Sequence, residues 1–281
     1  MTPLPPTRMR DTIIHWGQKT HIMGILNLTP DSFSGDGWLG REDEAIAWAV
    51  AAETDGADFI DVGGESTRPG HLPVSTEEEV RRVITVIQAL AQQVSIPISI
   101  DTSTATVAER ALAAGASIVN DVRGLTADHE LAAVVARAGA PVAIMHDAVP
   151  DSRIDLLTSI IRELSRRLDR ALAAGIVWEQ IIIDPGFGFG KDWNQNLILL
   201  RRIGELRALG RPILSGTSRK RTIGRVLGLP PDERVEGTAA TVTLSIAGGA
   251  DIVRVHDVLA MTRVARMTDA IVRGVDIVTA E

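Results

Sequence analysis

Polar and ionisable residues recur at the ends of short apolar runs along this chain. Eight runs of five to seven residues are rich in Ile and Val, and each ends in or is followed by a group that can hydrogen bond or titrate. In chain order these groups are Asn27, Asp61 with Glu65, Asp101, Asn120 with Asp121, His146, Asp184, Ser218 with Lys220, and Arg254 with His256. A single Asp or Asn in such a place often caps the next helix, but Lys220, Arg254 and His256 cannot. The recurrence therefore predicts one site assembled from many strand ends.

These end residues fall into two chemical sets. One set offers carboxylates and an amide, which can pair with the ring N–H and NH₂ donors of a flat heterocycle. It consists of Asp101, Asn120 and Asp184. The other set offers donors and positive charge, which suit phosphate or carboxylate; it consists of Lys220, Arg254 and His256, together with Arg68 from the loop after the second run. Together the sets predict a ring compound that carries a phosphate-type leaving group.

The apolar runs alternate with longer stretches that have helical spacing. We predict strands at 21–27, 58–63, 96–101, 117–121, 141–146, 181–186, 212–216 and 251–256. We predict helices at 41–54, 76–93, 104–114, 128–138, 152–174, 194–208, 236–248 and 258–274. Eight strand–helix units indicate a single-domain α/β protein, a (β/α)8 TIM barrel, with its site at the C-terminal ends of the strands. An open doubly wound sheet is the alternative, but no G-x-G-x-x-G follows the first run.

Two loops rich in Gly, Ser and Pro follow the first two predicted strands, at 29–40 and 63–73. Loops of this length in a compact domain are usually functional, so we expect them to cover the site. Phe33, Phe187 and Phe189 lie in Gly-rich loops outside the predicted strands. We expect these rings to flank a planar substrate, with packing inside their own loops as the alternative.

Composition narrows the class of protein. A net charge of −7 argues against general nucleic-acid binding, which needs basic surfaces. The 281 residues include no cysteine, which excludes disulfides and fits a cytoplasmic protein. We find no apolar stretch long enough for a membrane span, and residues 1–20 lack the apolar core of a signal peptide. We expect 1–20 to be an N-terminal extension or short hairpin and 21–281 to form the barrel, with the Arg pairs 81–82, 166–167 and 201–202 facing solvent.

Eight segments of the chain match a known family in order and spacing. They are GILNLTPDSFS (24–34), DVGGESTRPG (61–70), IDT (100–102), NDVRG (120–124), MH (145–146), DPGFGFGK (184–191), GTSRK (216–220) and RVHDV (254–258). Taken together they resemble dihydropteroate synthase, a family of pterin-binding (β/α)8 barrels. The resemblance implies an enzyme that joins hydroxymethyl-dihydropterin diphosphate to p-aminobenzoate in folate biosynthesis, releasing diphosphate. It also implies a homodimer, a Mg²⁺ cofactor and a p-aminobenzoate site that sulfonamides target.

The resemblance also implies a role for each matching residue. It implies that the catalytic residues are Asn27, Arg68, Lys220, Arg254 and His256. It places the pterin on Asp101, Asn120, Met145, Asp184, Gly216 and Lys220, and p-aminobenzoate on Phe33, Thr67, Arg68, Pro69, Phe189 and Ser218. It places the diphosphate on Asn27, Thr67, Arg68, Arg254 and His256, and Mg²⁺ on Asn27 with Asp31 as a second ligand.

Two other functions stay open at this point. A methyltetrahydrofolate:corrinoid methyltransferase would share the carboxylate-and-amide pocket, but it has no need of the TPDSFS segment or of Arg254 and His256. A pterin-binding paralogue without synthase activity would keep the pocket, but it would have no reason to keep both long loops.

Overall fold

The computed structural model describes residues 4–9, 11–29, 37–66 and 74–274. A short antiparallel pair, β1 (Thr7–Met9) and β2 (Thr12–Ile14), comes first. The following strands are β3 (His21–Asn27), β4 (Phe59–Gly63), β5 (Ile98–Asp101), β6 (Ile118–Asp121), β7 (Val142–Met145), β8 (Ile181–Asp184), β9 (Leu214–Ser215) and β10 (Ile252–Val255). The helices are α1 (Glu42–Thr54), α2 (Thr76–Gln93), α3 (Ala105–Ala114), α4 (Leu131–Ala138), α5 (Leu156–Ala173), α6 (Trp193–Arg201), α7 (Arg221–Leu227), α8 (Val235–Ala247) and α9 (Val258–Arg273).

The strands from β3 to β10 form one closed parallel barrel. Their hydrogen-bonded order is β8-β7-β6-β5-β4-β3-β10-β9. A parallel bridge between Ile183 and Ile213 joins the two ends of this order, and the Ile183 N–H donates to the Pro212 carbonyl at 2.9 Å. The predicted TIM barrel is confirmed, and the open-sheet alternative is wrong. The division of the chain at residue 20 stays a prediction.

Two helical stretches differ from the prediction. The stretch expected as one helix at 194–208 is α6 followed by a 3₁₀ segment at Ile203–Leu209, because Arg202 leaves helical geometry at φ −114° and ψ 14°. Helix α7 was not predicted, since its seven residues include Gly224 and show little apolar periodicity. Across the described ranges, no helix has both the length and the apolar character needed to cross a membrane.

Alternate residues of the strands serve two different cores. Outward residues such as Ile60, Val119 and Ile183 pack against the helices. Inward residues pack with side chains from the N-terminal hairpin and the segment that follows it. The inward residues are Met23, Phe59, Ile118, Ala143, Ile182, Leu214 and Ile252. Their partners are Met9, Ile14 and Trp16. The hairpin therefore covers the N-terminal end of the barrel with apolar groups. The polar strand ends lie at the opposite end.

A buried polar clamp ties α9 to the segment before β3. Asp269 accepts from the Thr20 N–H at 2.6 Å and from Thr20 Oγ1 at 2.8 Å. Arg273 Nε donates to the same carboxylate at 2.7 Å. Because α9 is the last helix and β3 is the first barrel strand, the clamp joins the two ends of the barrel sequence.

We predict that Asp269→Ala lowers the free energy of unfolding by about 2–4 kcal/mol, because it leaves the buried Thr20 donors without this acceptor. Urea denaturation followed by circular dichroism measures the change. Asp169→Ala, at an exposed position of α5, is the matched control and should stay within about 0.5 kcal/mol of wild type. Equal losses in the two variants would contradict the clamp.

Candidate active site

The C-terminal strand ends bring one layer of polar side chains into the barrel mouth. In the strand register Asn27 pairs with Gly63, Gly63 with Asp101, and Asp101 with Asn120. A Cβ placed on Gly63 would lie 3.6 Å from Asn27 Oδ1 and 3.6 Å from Asp101 Cβ. The missing side chain at Gly63 therefore leaves space between the amide of Asn27 and the carboxylate of Asp101.

Arg254 joins three strands across this mouth. Its Nε donates to Asp61 Oδ2 at 2.6 Å and its Nη2 donates to Asp101 Oδ2 at 2.8 Å. Asn120 Nδ2 donates to the same Asp61 oxygen at 3.0 Å. The Asp61 side chain is fully buried, whereas the Arg254 side chain keeps 18% of its surface exposed. One guanidinium thus fixes the positions of two carboxylates and, through Asp61, of one amide.

The electrostatics of this group follow from sharing one cation between two carboxylates. Burial raises the pKa of the Asp101 carboxyl, Arg254 opposes the rise, and Asp61 adds to it. Burial alone would lower the pKa of Arg254, but Asp61 and Asp101 raise it. Arg254 is therefore charged at any ordinary pH, whereas burial raises the pKa of Asp101 to about 7, so its carboxylate form gains from further donors or positive charge.

A second part of the mouth lies around Asp184 at the end of β8. Asp184 Oδ1 accepts from the Gly186 N–H at 2.7 Å. Burial raises the pKa of Asp184, while this N–H and the charges of Lys220 and Lys191 oppose the rise. Lys220 Nζ lies 4.5 Å from the centroid of the Phe189 ring, a cation–π contact. A carboxylate, an ammonium group and an aromatic face are therefore grouped on this side.

The turns after β9 and β10 are joined by polar contacts. Ser218 Oγ lies 2.9 Å from His256 Nδ1 and accepts from the His256 N–H at 3.2 Å. Arg219 has φ +55°, a left-handed conformation that costs energy for a residue with a side chain. Its guanidinium forms an ion pair with Asp257 at 2.5 Å, and its N–H donates to Thr238 Oγ1 at 3.1 Å. These contacts hold Arg219 in place and so direct Ser218 and Lys220 on either side of it.

The surroundings of His256 favour a neutral imidazole. Burial, followed by the nearby charges of Arg219 and Arg254, lowers the pKa of His256 to about 3. The imidazole is therefore neutral near pH 7. It can donate one N–H to an anion, but it carries no charge.

The structure places most of the predicted residues at one mouth. Met145 is buried at the end of β7 beside Asp184 in the register, and a Cβ on Gly216 would lie 4.0 Å from Arg254 Cβ. Phe187 was expected to flank the substrate, and this is wrong, because it is 4% exposed and packs in the core between barrel and helices. The predicted residues that lie outside the described ranges are Asp31, Phe33, Thr67, Arg68 and Pro69.

Sequence reasoning gave no role to two residues of this region. Asp61 was noted as a strand end, and only the structure shows that it binds Arg254 and Asn120. The sequence feature that could have revealed this role is its position, on the strand next to that of Asp101 and with its side chain pointing into the barrel. Lys191 closes the DPGFGFGK segment and lies buried against His146. By contrast Asp121 accepts from the N–H groups of Arg123 and Leu125, which makes it a residue of the turn.

A parallel barrel with carboxylates and an amide at its mouth belongs to the class of barrel enzymes that can bind a flat heterocycle with N–H and NH₂ donors. A family model described as "Pterin binding enzyme" matches residues 23–256. A dihydropteroate synthase from Synechocystis sp. is 48% identical over 277 residues, which is 96% of each chain. The chain belongs to the dihydropteroate synthase family, so it is a transferase of folate synthesis.

Solved structures agree with this assignment. One is dihydropteroate synthase from Clostridium difficile in the presence of pteroic acid, with 51% identity, a TM-score of 0.88, and coverage of 92% of this chain and 99% of that one. Another is the Xanthomonas albilineans enzyme with 4-aminobenzoic acid, with 40% identity, a TM-score of 0.89, and coverage of 95% and 98%. The predicted synthase function is confirmed over the methyltransferase alternative.

We predict that His256→Gln retains most activity and leaves the shape of the pH–rate profile unchanged between pH 5 and 8. The reason is that His256, with its pKa lowered to about 3, gains no proton in that range. Initial rates at saturating substrate concentrations across this pH range measure both the activity and the profile. His256→Ala is the comparison variant, because it also loses the N–H donor. An acidic limb near pH 6 in wild type that vanishes in His256→Gln would contradict a neutral imidazole.

Proposed function

We propose that the barrel mouth joins hydroxymethyl-dihydropterin diphosphate to p-aminobenzoate in two adjoining compartments. The pterin compartment is formed by Asp61, Asp101, Asn120 and Asp184. The anion compartment is formed by Ser218, Lys220, Arg254 and His256. The observation that carries this proposal is the Arg254 network, because it places a charged guanidinium at the border of the two compartments.

The pterin compartment suits a ring that becomes electron-poor. A pterin presents adjacent N–H and NH₂ donors, which a carboxylate accepts as paired charge-assisted hydrogen bonds. As diphosphate departs, positive charge develops on the ring. The buried carboxylates of Asp101 and Asp184 are fixed before this happens, so they can stabilise that charge without reorganising.

Arg254 has the matching role toward the leaving group. Its orientation is held by Asp61 and Asp101, and part of its surface remains exposed. We expect it to stabilise the negative charge that grows on the departing diphosphate, with the neutral His256 adding one N–H donor.

The cofactor is proposed to be Mg²⁺. Among the residues with described positions there is no cluster of three or more His, Cys, Asp or Glu side chains that could hold a metal. Magnesium bound with phosphates needs only one or two protein ligands, since water and phosphate oxygens complete its shell. Asn27, whose Oδ1 faces the opening at Gly63, fits that requirement, with Asp31 as the further ligand. When bound, the ion would neutralise charge on the diphosphate.

We assign p-aminobenzoate to the side of the mouth where Phe189, Lys220 and Ser218 lie. The Phe189 face suits the benzoate ring, and the Lys220 ammonium suits the carboxylate. Binding there would orient the aniline nitrogen toward the pterin carbon that loses diphosphate. Positioning of this kind can supply several kcal/mol of the rate enhancement. Sulfonamides would compete for the same surface.

The direct test supplies both substrates and Mg²⁺ to the purified protein and measures dihydropteroate.

Arg254→Lys should lower kcat by about 10²- to 10³-fold, because lysine keeps the charge but not the planar fork that binds two carboxylates. The KM for p-aminobenzoate should change less. Arg225→Lys, at an exposed position of α7, is the control and should match wild type. A wild-type kcat in Arg254→Lys would remove Arg254 from the chemistry.

We further propose a homodimer that forms through α8 and α9. Leu259, Met267 and Ile271 are 42%, 62% and 70% exposed, and their spacing places them on one side of α9. Leu244 of the adjacent α8 is 52% exposed. Exposed apolar side chains grouped on neighbouring helices are typical of protein–protein contacts. A cytoplasmic location is proposed as well, on the absence of cysteine.

The double variant Met267→Glu/Ile271→Glu should sediment as a monomer, because two carboxylates per subunit would be buried at the contact. Analytical ultracentrifugation measures the mass. Ile13→Glu, on the exposed hairpin side chain at the other end of the barrel, is the control and should remain a dimer. A wild-type protein that sediments as a monomer would contradict the proposal.

A further inference from the structure

A buried lysine lies behind the loop that carries Phe189. Lys191 Nζ lies 2.9 Å from the Phe189 carbonyl oxygen, 3.1 Å from that of Gly186, and 3.2 Å from that of His146. It also lies 3.0 Å from His146 Nδ1. Lys191 is 9% exposed, and none of these four acceptors is a carboxylate. A single ammonium group thus connects both ends of the 185–190 loop to the residue that follows β7.

The 185–190 loop is packed directly against the segment after β7. Gly186 and Gly190 have φ of +71° and +60°, and a Cβ at these positions would lie 2.0 Å from the His146 carbonyl oxygen and 2.2 Å from that of Ala148. Only glycine allows such close approach of two backbones. The carbonyl groups that converge here present negative partial charge, which the ammonium group of Lys191 offsets.

The other side of the same loop faces the barrel mouth. The Gly186 N–H donates to Asp184, and the Phe189 ring lies against Lys220. From this geometry we propose that Lys191 is a positioning residue, whose ammonium group holds the loop so that Phe189 can bind the benzoate part of the substrate. The inference rests on the proposed function, because Phe189 is taken there as part of the p-aminobenzoate side of the mouth.

Burial of the Lys191 ammonium group costs free energy, so its removal is expected to affect the position of the loop more than the stability of the whole protein. An ammonium group without a carboxylate partner loses hydration that carbonyl oxygens replace only in part. Removing the charge relieves that cost, while it also releases the carbonyls that define the loop. The expected consequence is a local rearrangement of the 185–190 loop rather than a loss of the barrel, whose strands β7 and β8 pair independently of this lysine.

Two ligands that share a pterin ring test the proposal. Calorimetry would compare pteroic acid, which carries the benzoate group, with 6-hydroxymethylpterin, which does not. Lys191→Met should lower the affinity for pteroic acid by about 10-fold and the affinity for 6-hydroxymethylpterin by less than about 3-fold. The reason is that the lost hydrogen bonds are those that hold the loop carrying Phe189.

The matched control is Arg211→Met. Arg211 is also a buried cation that donates to a carbonyl oxygen, that of Ile181 at 2.9 Å, but at the opposite end of β8. This variant should lose stability and keep the affinity ratio of the two ligands. A purely structural role for Lys191 would make the two variants behave alike.

A pH titration of the wild-type protein adds a readout that needs no variant. Burial lowers the pKa of Lys191 to about 7. Loss of its proton leaves two N–H donors for four acceptors, so affinity for pteroic acid relative to the pterin should fall as the pH rises through about 7. Ionisation of the pterin ring is common to both ligands and cancels in this ratio. The other charged or titratable groups around Lys191 are His146, Asp147, Arg167, Asp184 and Lys220.

Several results would overturn the positioning role. These are an equal loss for both ligands in Lys191→Met, the same change of ratio in Arg211→Met, or a ratio in wild type that does not change with pH. The wild-type titration decides alone if Lys191→Met does not fold. If the wild-type protein showed no measurable binding of either the pterin or pteroic acid, that result would instead contradict the proposed function, and the role of the loop with it.

Discussion

The sharing of Arg254 between Asp61 and Asp101 is the interaction on which the mouth of this barrel depends. Both carboxylates are buried on neighbouring strands, and a buried carboxylate needs a cation or several donors. Arg254 reaches them from the other side of β3. Removing either acid would leave the guanidinium with a single partner, and removing the guanidinium would leave two uncompensated acids. The three residues must therefore be treated as one unit.

A second set of cations acts from outside the barrel. Arg167, on α5, donates to the Met145 carbonyl oxygen and to Asp147 at 2.8 Å, and Lys191 holds the carbonyl groups of the next loop. These groups do not belong to either proposed compartment. They fix the backbone from which Met145 and Phe189 extend. The inner cation orders side chains that face the ligand, and the outer cations order the loops that carry such side chains.

Much of the fold could be predicted because its signals are local and repeated. Each apolar run had the length and composition of a buried strand, and helices such as α2, α5 and α6 have Ser75, Asp155 and Asp192 as N-caps. Where those signals are weak the prediction failed, as at α7 with its internal Gly224. Long apolar periodicity also could not show that the 194–208 stretch changes to a tighter helix at Arg202.

The convergence of the strand-end residues on one mouth was predictable, but their pairing was less so. Strand ends in a barrel converge whatever their partners, so Asp101, Asn120 and Asp184 could be grouped from sequence position alone. Which acid binds Arg254, and whether His256 is charged, depends on burial and on distances between strands remote in the chain. Arg167 shows the same limit. As half of an Arg pair in a helix it was expected to face solvent, yet it is 3% exposed and donates to the Met145 carbonyl oxygen and to Asp147.

The charge distribution is the reason why the two proposed compartments should adjoin. Among the described residues of the mouth, the buried acids Asp61, Asp101 and Asp184 lie near the cations Arg254 and Lys220. A ligand that offered only ring donors would satisfy the acids and leave the exposed side of Arg254 without an anion. A ligand that offered only diphosphate would draw on Arg254 and leave Asp101 with less compensation. A pterin joined to diphosphate meets both demands in one molecule. When the bond between the pterin carbon and the diphosphate oxygen breaks, the pterin keeps the positive charge and the diphosphate leaves with the electron pair, and each proposed compartment would stabilise the charge on its own half.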